Sequence, residues 1–199
     1  MKLDKEKASA VFFGKAEIPV GCLIITPIGK IYKRIKTRYP VLEKSEGWWK
    51  RMEVNIGSKT VLVFKIPPGS CIKDCLRILN PKAIKKIVFL GFCGALNEKL
   101  KIGTIVVLRK NKYKIASTSQ MILEEAVLQK FKKQGIDFLD METQFLYKWR
   151  KKHYVPATSV LIISDKPRSL PFFICGQEEI QLIEKAISRV VNNLGQYLT

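Results

Sequence analysis

Short apolar runs alternate along this chain with stretches of helical period. Gly21-Cys22-Leu23-Ile24-Ile25-Thr26 is a continuous apolar run ended by Pro27-Ile28-Gly29, the pattern of a buried strand followed by a turn. Ile31 to Arg38 follows as a short basic helix. Lys50 to Asn55 and Thr60 to Ile66 flank Gly57-Ser58, a hairpin signal. The turn Pro67-Pro68-Gly69-Ser70 leads into a helix to about Leu79, capped by Ser70, with Ile72, Cys75, Leu76 and Leu79 among its apolar positions. Lys86 to Leu90, Thr104 to Leu108, Tyr113 to Ser117, Phe138-Leu139 and Ala157 to Ser164 predict further strands. Helices are predicted from Thr118 or Ser119 to Lys133, from Glu142 to Lys151, and from Gly176 to Tyr197. The last keeps Ile180, Ile183, Ile187, Val190, Val191 and Leu194 on one face. Residues 1–19 are poorly patterned, and the weakly patterned stretch from Pro40 to Trp49 is expected to be a loop.

Strands alternating with helices predict one α/β layered domain over residues 1–199, with a mixed central sheet. A chain of 199 residues, 47% of them hydrophobic, can bury a substantial core. No apolar run reaches the ~18 to 20 residues that span a bilayer. The charged start, Met1-Lys2-Leu3-Asp4-Lys5-Glu6-Lys7, is unlike a signal peptide. A cytoplasmic location with no membrane partner is the expectation. Five cysteines, an odd number scattered through strand-like and helix-like segments, read as reduced thiols. With His153 as the single histidine, placed in a basic loop, no metal is expected.

The net charge of +19 raises the question of nucleic acid. The basic residues are spread along the chain, with no RNA-binding aromatic signature and no helix-turn-helix pattern, which argues against it. The densest cluster, Lys148-Trp149-Arg150-Lys151-Lys152, falls where a helix should end, and cations there offset the helix dipole. Attraction of phosphate-bearing small ligands follows from the same charge.

Against 36 Lys and Arg the chain has only 17 carboxylates, and three of these lie beside its most apolar segments: Asp140 and Glu142 in Asp140-Met141-Glu142, and Asp165 in Ser164-Asp165. A carboxylate at the end of a buried strand costs free energy unless it is paired or used. Purely structural roles also fit: Asp140 as a helix cap, Glu142 as a first-turn acid, Ser164-Asp165 as an ordinary turn before Lys166-Pro167.

Four segments, in order, resemble the purine nucleoside phosphorylase and nucleosidase superfamily. Cys22 to Lys36 is similar to its first strand, turn and helix. Phe89-Leu90-Gly91-Phe92-Cys93-Gly94-Ala95-Leu96 with Leu100 to Val107 resembles its glycine-rich turn and following strand. Asp140-Met141-Glu142-Thr143 resembles its ribose-binding motif, and Ile163-Ser164-Asp165 its base-protonating motif. The resemblance spans roughly residues 20 to 197. It implies a three-layer α/β/α sandwich around a twisted mixed sheet, assembled into dimers or larger rings. It also implies cleavage of a purine nucleoside N-glycosidic bond without a cofactor. Asp165 would be the general acid with Ser164 orienting it, Glu142 the ribose clamp, and Met141 the sugar-packing residue. Gly91, Phe92, Cys93 and Gly94 would contact the base through closely approaching backbone, with Phe92 or Phe172 stacking on it.

The nucleophile side departs from the family pattern. The phosphorylases' first-turn phosphate motif is replaced by Thr26-Pro27-Ile28-Gly29-Lys30. Their second phosphate arginine becomes Phe89, and the serine after the glycine becomes Phe92. Lys30, Arg34 and Ser70 are the candidate substitutes. The nucleosidases' first-turn glutamate is also missing, Glu17 lying before the strand. The expectation is hydrolysis, with phosphorolysis using phosphate as co-substrate as the alternative, and a non-catalytic nucleoside-binding protein as a second one.

Overall fold

The computed structural model describes residues 4–18, 21–108, 113–120 and 122–199. Its elements in chain order are α1 (Lys5–Phe13), β1 (Gly21–Thr26), α2 (Gly29–Arg38), β2 (Val41–Glu46), β3 (Lys50–Ile56), β4 (Lys59–Lys65), α3 (Cys71–Ile78) and β5 (Ile84–Ala95). Then come β6 (Ile105–Leu108), β7 (Ile115–Ser117), α4 (Glu125–Lys133), β8 (Phe138–Asp140), α5 (Thr143–His153), β9 (Ala157–Asp165) and α6 (Gln177–Asn192), closed by a 3-10 turn at Leu194–Tyr197. Among the described residues all nine strands join one mixed sheet. β1, β4, β5 and β9 run parallel at its centre, and β2, β3 and β6 are antiparallel to their neighbours.

The sheet is buried on both faces, which is why its central strands read as unbroken apolar runs. On one face Phe13 of α1, Ile72 and Cys75 of α3 and Leu146 of α5 pack with Leu23, Phe64, Phe89 and Ile163. On the other, Ile31 and Ile35 of α2 and Ile187 and Val191 of α6 pack with Ile24, Val63, Val88 and Ile162. The result is the expected α/β/α sandwich.

The topology opens a fork in the sheet. β9 pairs with β5 from Ile87 to Gly94, so it occupies one edge of β5. β1 pairs on the opposite edge only as far as Phe89, and β8 pairs on that same edge only at Gly94 and Ala95. Between Phe89 and Gly94 this edge lacks a strand partner among the described residues. Strand-end clefts of this kind are where α/β folds hold ligands.

Several expectations are corrected. Residues 5–13 are helical, although their poor pattern predicts no element there. Asp4 accepts from the Lys7 N–H at the helix start and Gly14 closes it in the left-handed conformation. Val41–Glu46 is an edge strand rather than a loop; its exposed charges hide it from a hydrophobic pattern and suit a sheet edge. The glycine-rich stretch does not end the strand at Leu90, because β9 and β8 carry the pairing on to Ala95. The helix expected from Thr118 or Ser119 starts only at Glu125, and Met121 within that stretch lies outside the described residues. His153 sits at the end of α5, against the ring of Trp149 (centroids 4.7 Å apart), not in a loop.

Candidate active site

Each side of the fork supplies acids. After β8 the chain turns back toward the end of β4, and Glu142 there is buried. Its Oε1 accepts from the Gly69 N–H at 2.6 Å and its Oε2 from the Met141 N–H at 3.3 Å. The Gly69 turn is thereby locked to the β8–α5 connection. The Met141 methyl closes the same contact, lying 3.2 Å from where a Gly69 side chain would begin. Burial pushes the Glu142 carboxyl up to about 7; the Gly69 N–H opposes that shift and the nearby Asp140 adds to it. Asp140 itself is structural. Its Oδ1 accepts from the Ser117 hydroxyl and its Oδ2 from the Thr143 N–H at 2.8 Å, so it caps α5 and ties it to β7.

Asp165 closes β9 opposite Gly94. The Ser164 hydroxyl donates to its Oδ1 at 2.6 Å, with the Cys93 carbonyl also near that hydroxyl at 3.4 Å. Burial raises the Asp165 carboxyl above its usual range, against the Ser164 hydrogen bond. Gly94 makes the approach possible, since a Cβ there would stand 2.7 Å from the Pro167 ring and 3.0 Å from Asp165 Oδ2. The segment after the acid is pinned. Lys166 and Leu170 exchange backbone hydrogen bonds at 2.8 Å, Ser169 donates to Glu98 at 2.6 Å, and Arg168 pairs with Glu125 of α4 at 2.9 Å. Cys93 lies between the two carboxyl clusters: burial chiefly, then the charges of Asp140 and Asp165, hold its thiol protonated. Glu142, Asp165 and the 91–94 backbone thus gather at one end of the sheet.

Other candidate residues are engaged elsewhere in the fold. The space beside Gly91 is filled by the Phe89 ring, 2.6 Å from where a Cβ would stand, so its missing side chain makes room for that ring. The Phe92 side chain joins the cluster under α2 and α6, on the sheet face opposite Cys93, and Phe172 is 40% exposed on the turn after β9. Lys30 and Arg34 do not form a free anion cradle. Both pair with Glu184 of α6, and Arg34 also donates to Ser188 at 2.7 Å. Ser70 is exposed beside Gly69 and its side chain caps nothing. The residue that sequence reasoning missed is Gly69. Its turn is legible in Pro67-Pro68-Gly69, but the reach of its N–H to Glu142 is not.

The Glu142 environment makes a prediction for stability. Its carboxyl binds a proton more tightly folded than unfolded, so its contribution is complete below the ordinary value of 4.5 and is lost as pH rises through about 7. The loss is on the order of 3 kcal/mol at ~1.4 kcal/mol per pH unit. Urea titrations at pH 5 and pH 8 should show stability falling in the native protein and a flatter response in Glu142→Gln. Equal falls in both would exclude Glu142 as the source.

No protein-family model matches the sequence, and no curated protein matches it either. Solved structures do match. The Campylobacter jejuni 5′-methylthioadenosine/S-adenosylhomocysteine nucleosidase superposes with TM-score 0.72 at 13% identity, covering 89% of this chain and 98% of that one. The futalosine hydrolase of Helicobacter pylori gives 0.66 at 14%, covering 90% and 95%. The uridine phosphorylase of Vibrio fischeri gives 0.68 at 13%, covering 88% of each chain. The chain therefore has the fold that these two hydrolytic enzymes and the phosphorylase share.

Proposed function

We propose that the protein cleaves the N-glycosidic bond of a purine nucleoside, by hydrolysis. The observation that carries this reading is the pairing of a half-buried Asp165, whose carboxyl burial raises above its usual range, with the Ser164 hydroxyl, at the same end of the sheet as the buried Glu142. Bond cleavage leaves negative charge on the departing base and positive charge on the sugar. A carboxyl that keeps its proton in the folded state can give it to the purine N7 as the bond breaks. Ser164 holds Oδ1, which leaves Oδ2, on the Gly94 side, as the donor atom. Glu142 accepts the ribose hydroxyls with the lone pairs left over from Gly69 and Met141, and its position is fixed by those same backbone contacts. Met141 supplies an adaptable apolar wall for the sugar.

Hydrolysis is favoured over phosphorolysis by what surrounds the nucleophile side. Phe89 is fully buried, and the two candidate phosphate cations on α2, Lys30 and Arg34, are engaged by Glu184. A lysine in an ion pair is no equivalent of a bidentate arginine for phosphate. The test is release of adenine or hypoxanthine from adenosine, 5′-methylthioadenosine and inosine, with and without added phosphate. Release independent of phosphate, yielding the free sugar, is expected; a strict phosphate requirement and a sugar 1-phosphate product would sink the hydrolytic reading. Nucleoside binding with no release under either condition would favour a binding protein instead.

A further inference from the structure

A cavity of about 690 Å³ lies on the α6 side of the sheet and shares no residue with the candidate active site. One wall is the loop from Lys101 into β6; the other is α6 and the 3-10 turn after it. Gly103 makes the two walls meet. At φ +79° it lies against α6, where a Cβ would fall 2.8 Å from the Leu182 carbonyl oxygen. Backbone hydrogen bonds from Gly103 N–H to the Ile163 carbonyl (2.8 Å) and from Ile163 N–H to the Thr104 carbonyl (3.0 Å) fix the loop to β9. The cavity is therefore built on the rigid sheet and not on a loose loop.

Its lining is chemically one-sided. Ile102, Ala186 and Tyr197 are buried and form an apolar floor, while Lys101, Lys185 and Arg189 stand around it. No carboxylate is among the lining residues, and among the described residues none of these three cations is in an ion pair. Glu184 on the same helix is turned away, holding Lys30 and Arg34. Three like charges around one concavity repel each other until an anion joins them. The volume is that of a small-molecule site, and an apolar floor beneath a cationic rim suits a ligand with a flat body and an anionic end.

We propose that this cavity binds a phosphate-bearing small molecule of mononucleotide size, its phosphate between Lys185 and Arg189 and its ring over Ile102 and Tyr197. A second copy of this chain is a poor occupant, because at +19 it brings like charge to a basic surface. Adenosine monophosphate is the probe, with adenosine and inorganic phosphate separating the contributions of ring and phosphate. Calorimetry on the full chain should give salt-sensitive binding of the nucleotide, at least ~10-fold tighter than either fragment. Lys185→Glu with Arg189→Glu, both outside the buried core, should weaken it at least ~10-fold, whereas Glu142→Ala should leave it unchanged. Amide shifts on titration should centre on Gly103 and Ala186. Loss of binding in Glu142→Ala would put the nucleotide in the nucleoside site and overturn the proposal. So would indifference to the double charge reversal, equal affinity for inorganic phosphate, or binding only of an RNA oligomer.

Discussion

Replacing Asp165 with Asn is expected to slow base release by ~10²- to 10⁴-fold while leaving nucleoside binding within a few-fold. The substitution is nearly isosteric, so the Gly94 contact has no larger group to accommodate. The new carbonyl oxygen can still accept from Ser164 at the Oδ1 position, and the amide nitrogen takes the place of Oδ2. What is lost is the transferable proton. Burial is the main reason that the Asp165 carboxyl is raised above the usual carboxylate range, and in the proposed mechanism the protonated form is the active one. Turnover in the native protein should therefore fall as pH rises through that raised value, and the fall should vanish in the residual activity of the variant. Steady-state rates across pH, with direct binding of the nucleoside, separate the cases. Full turnover in Asp165→Asn would remove the general acid from the mechanism. Loss of binding along with turnover would make Asp165 a ligand contact instead.

The sequence carries this acid and its partners because the relevant signals are local. Ser164-Asp165 ends an apolar run, and Asp140-Met141-Glu142 opens a helix; both placements follow from short patterns and from strand-end logic. The hairpin at Gly57-Ser58 is equally local, and Ile56 faces Lys59 across it. Signals that depend on distant partners are not legible. Lys30 and Arg34 look like free cations in a first turn, and only the folded chain brings Glu184 to them. Phe92 looks like a base-stacking ring beside two glycines until the register of β5 against β9 turns it to the α6 side. The Val41–Glu46 strand has no apolar period because it covers an edge, not a core. The first helix has little amphipathic pattern of its own, and what it buries depends on β2, β3, β4 and α3, all far along the chain.

That first helix is also where the largest stability effect is expected. A nine-residue helix is too short to persist alone in water, so α1 must be held by what it packs on. Phe13, fully buried, is the main anchor. Its ring stacks on Phe64 of β4 with centroids 3.9 Å apart and meets Trp49 edge-on at 5.4 Å. Backbone contacts gather around it: Trp49 N–H donates to the Phe12 carbonyl at 2.7 Å, and the Ser45 hydroxyl to the Phe13 carbonyl at 2.6 Å. Just beyond the helix the buried Arg51 guanidinium donates to the Glu17 carbonyl at 2.7 Å and to Glu53 at 2.7 Å. Phe13→Ala removes the ring from the centre of this arrangement and leaves a void against β4, at a cost of ~3 to 5 kcal/mol. Loss of the Asp4 cap, in contrast, costs only ~1 kcal/mol. Urea unfolding followed by tryptophan fluorescence should show a much lower midpoint for Phe13→Ala with the slope retained, because Trp48 and Trp49 sit on the same surface and report the same transition. A loss below ~1 kcal/mol, or a separate early transition, would mean that α1 docks on the sheet as an independent unit and does not share in the cooperative core.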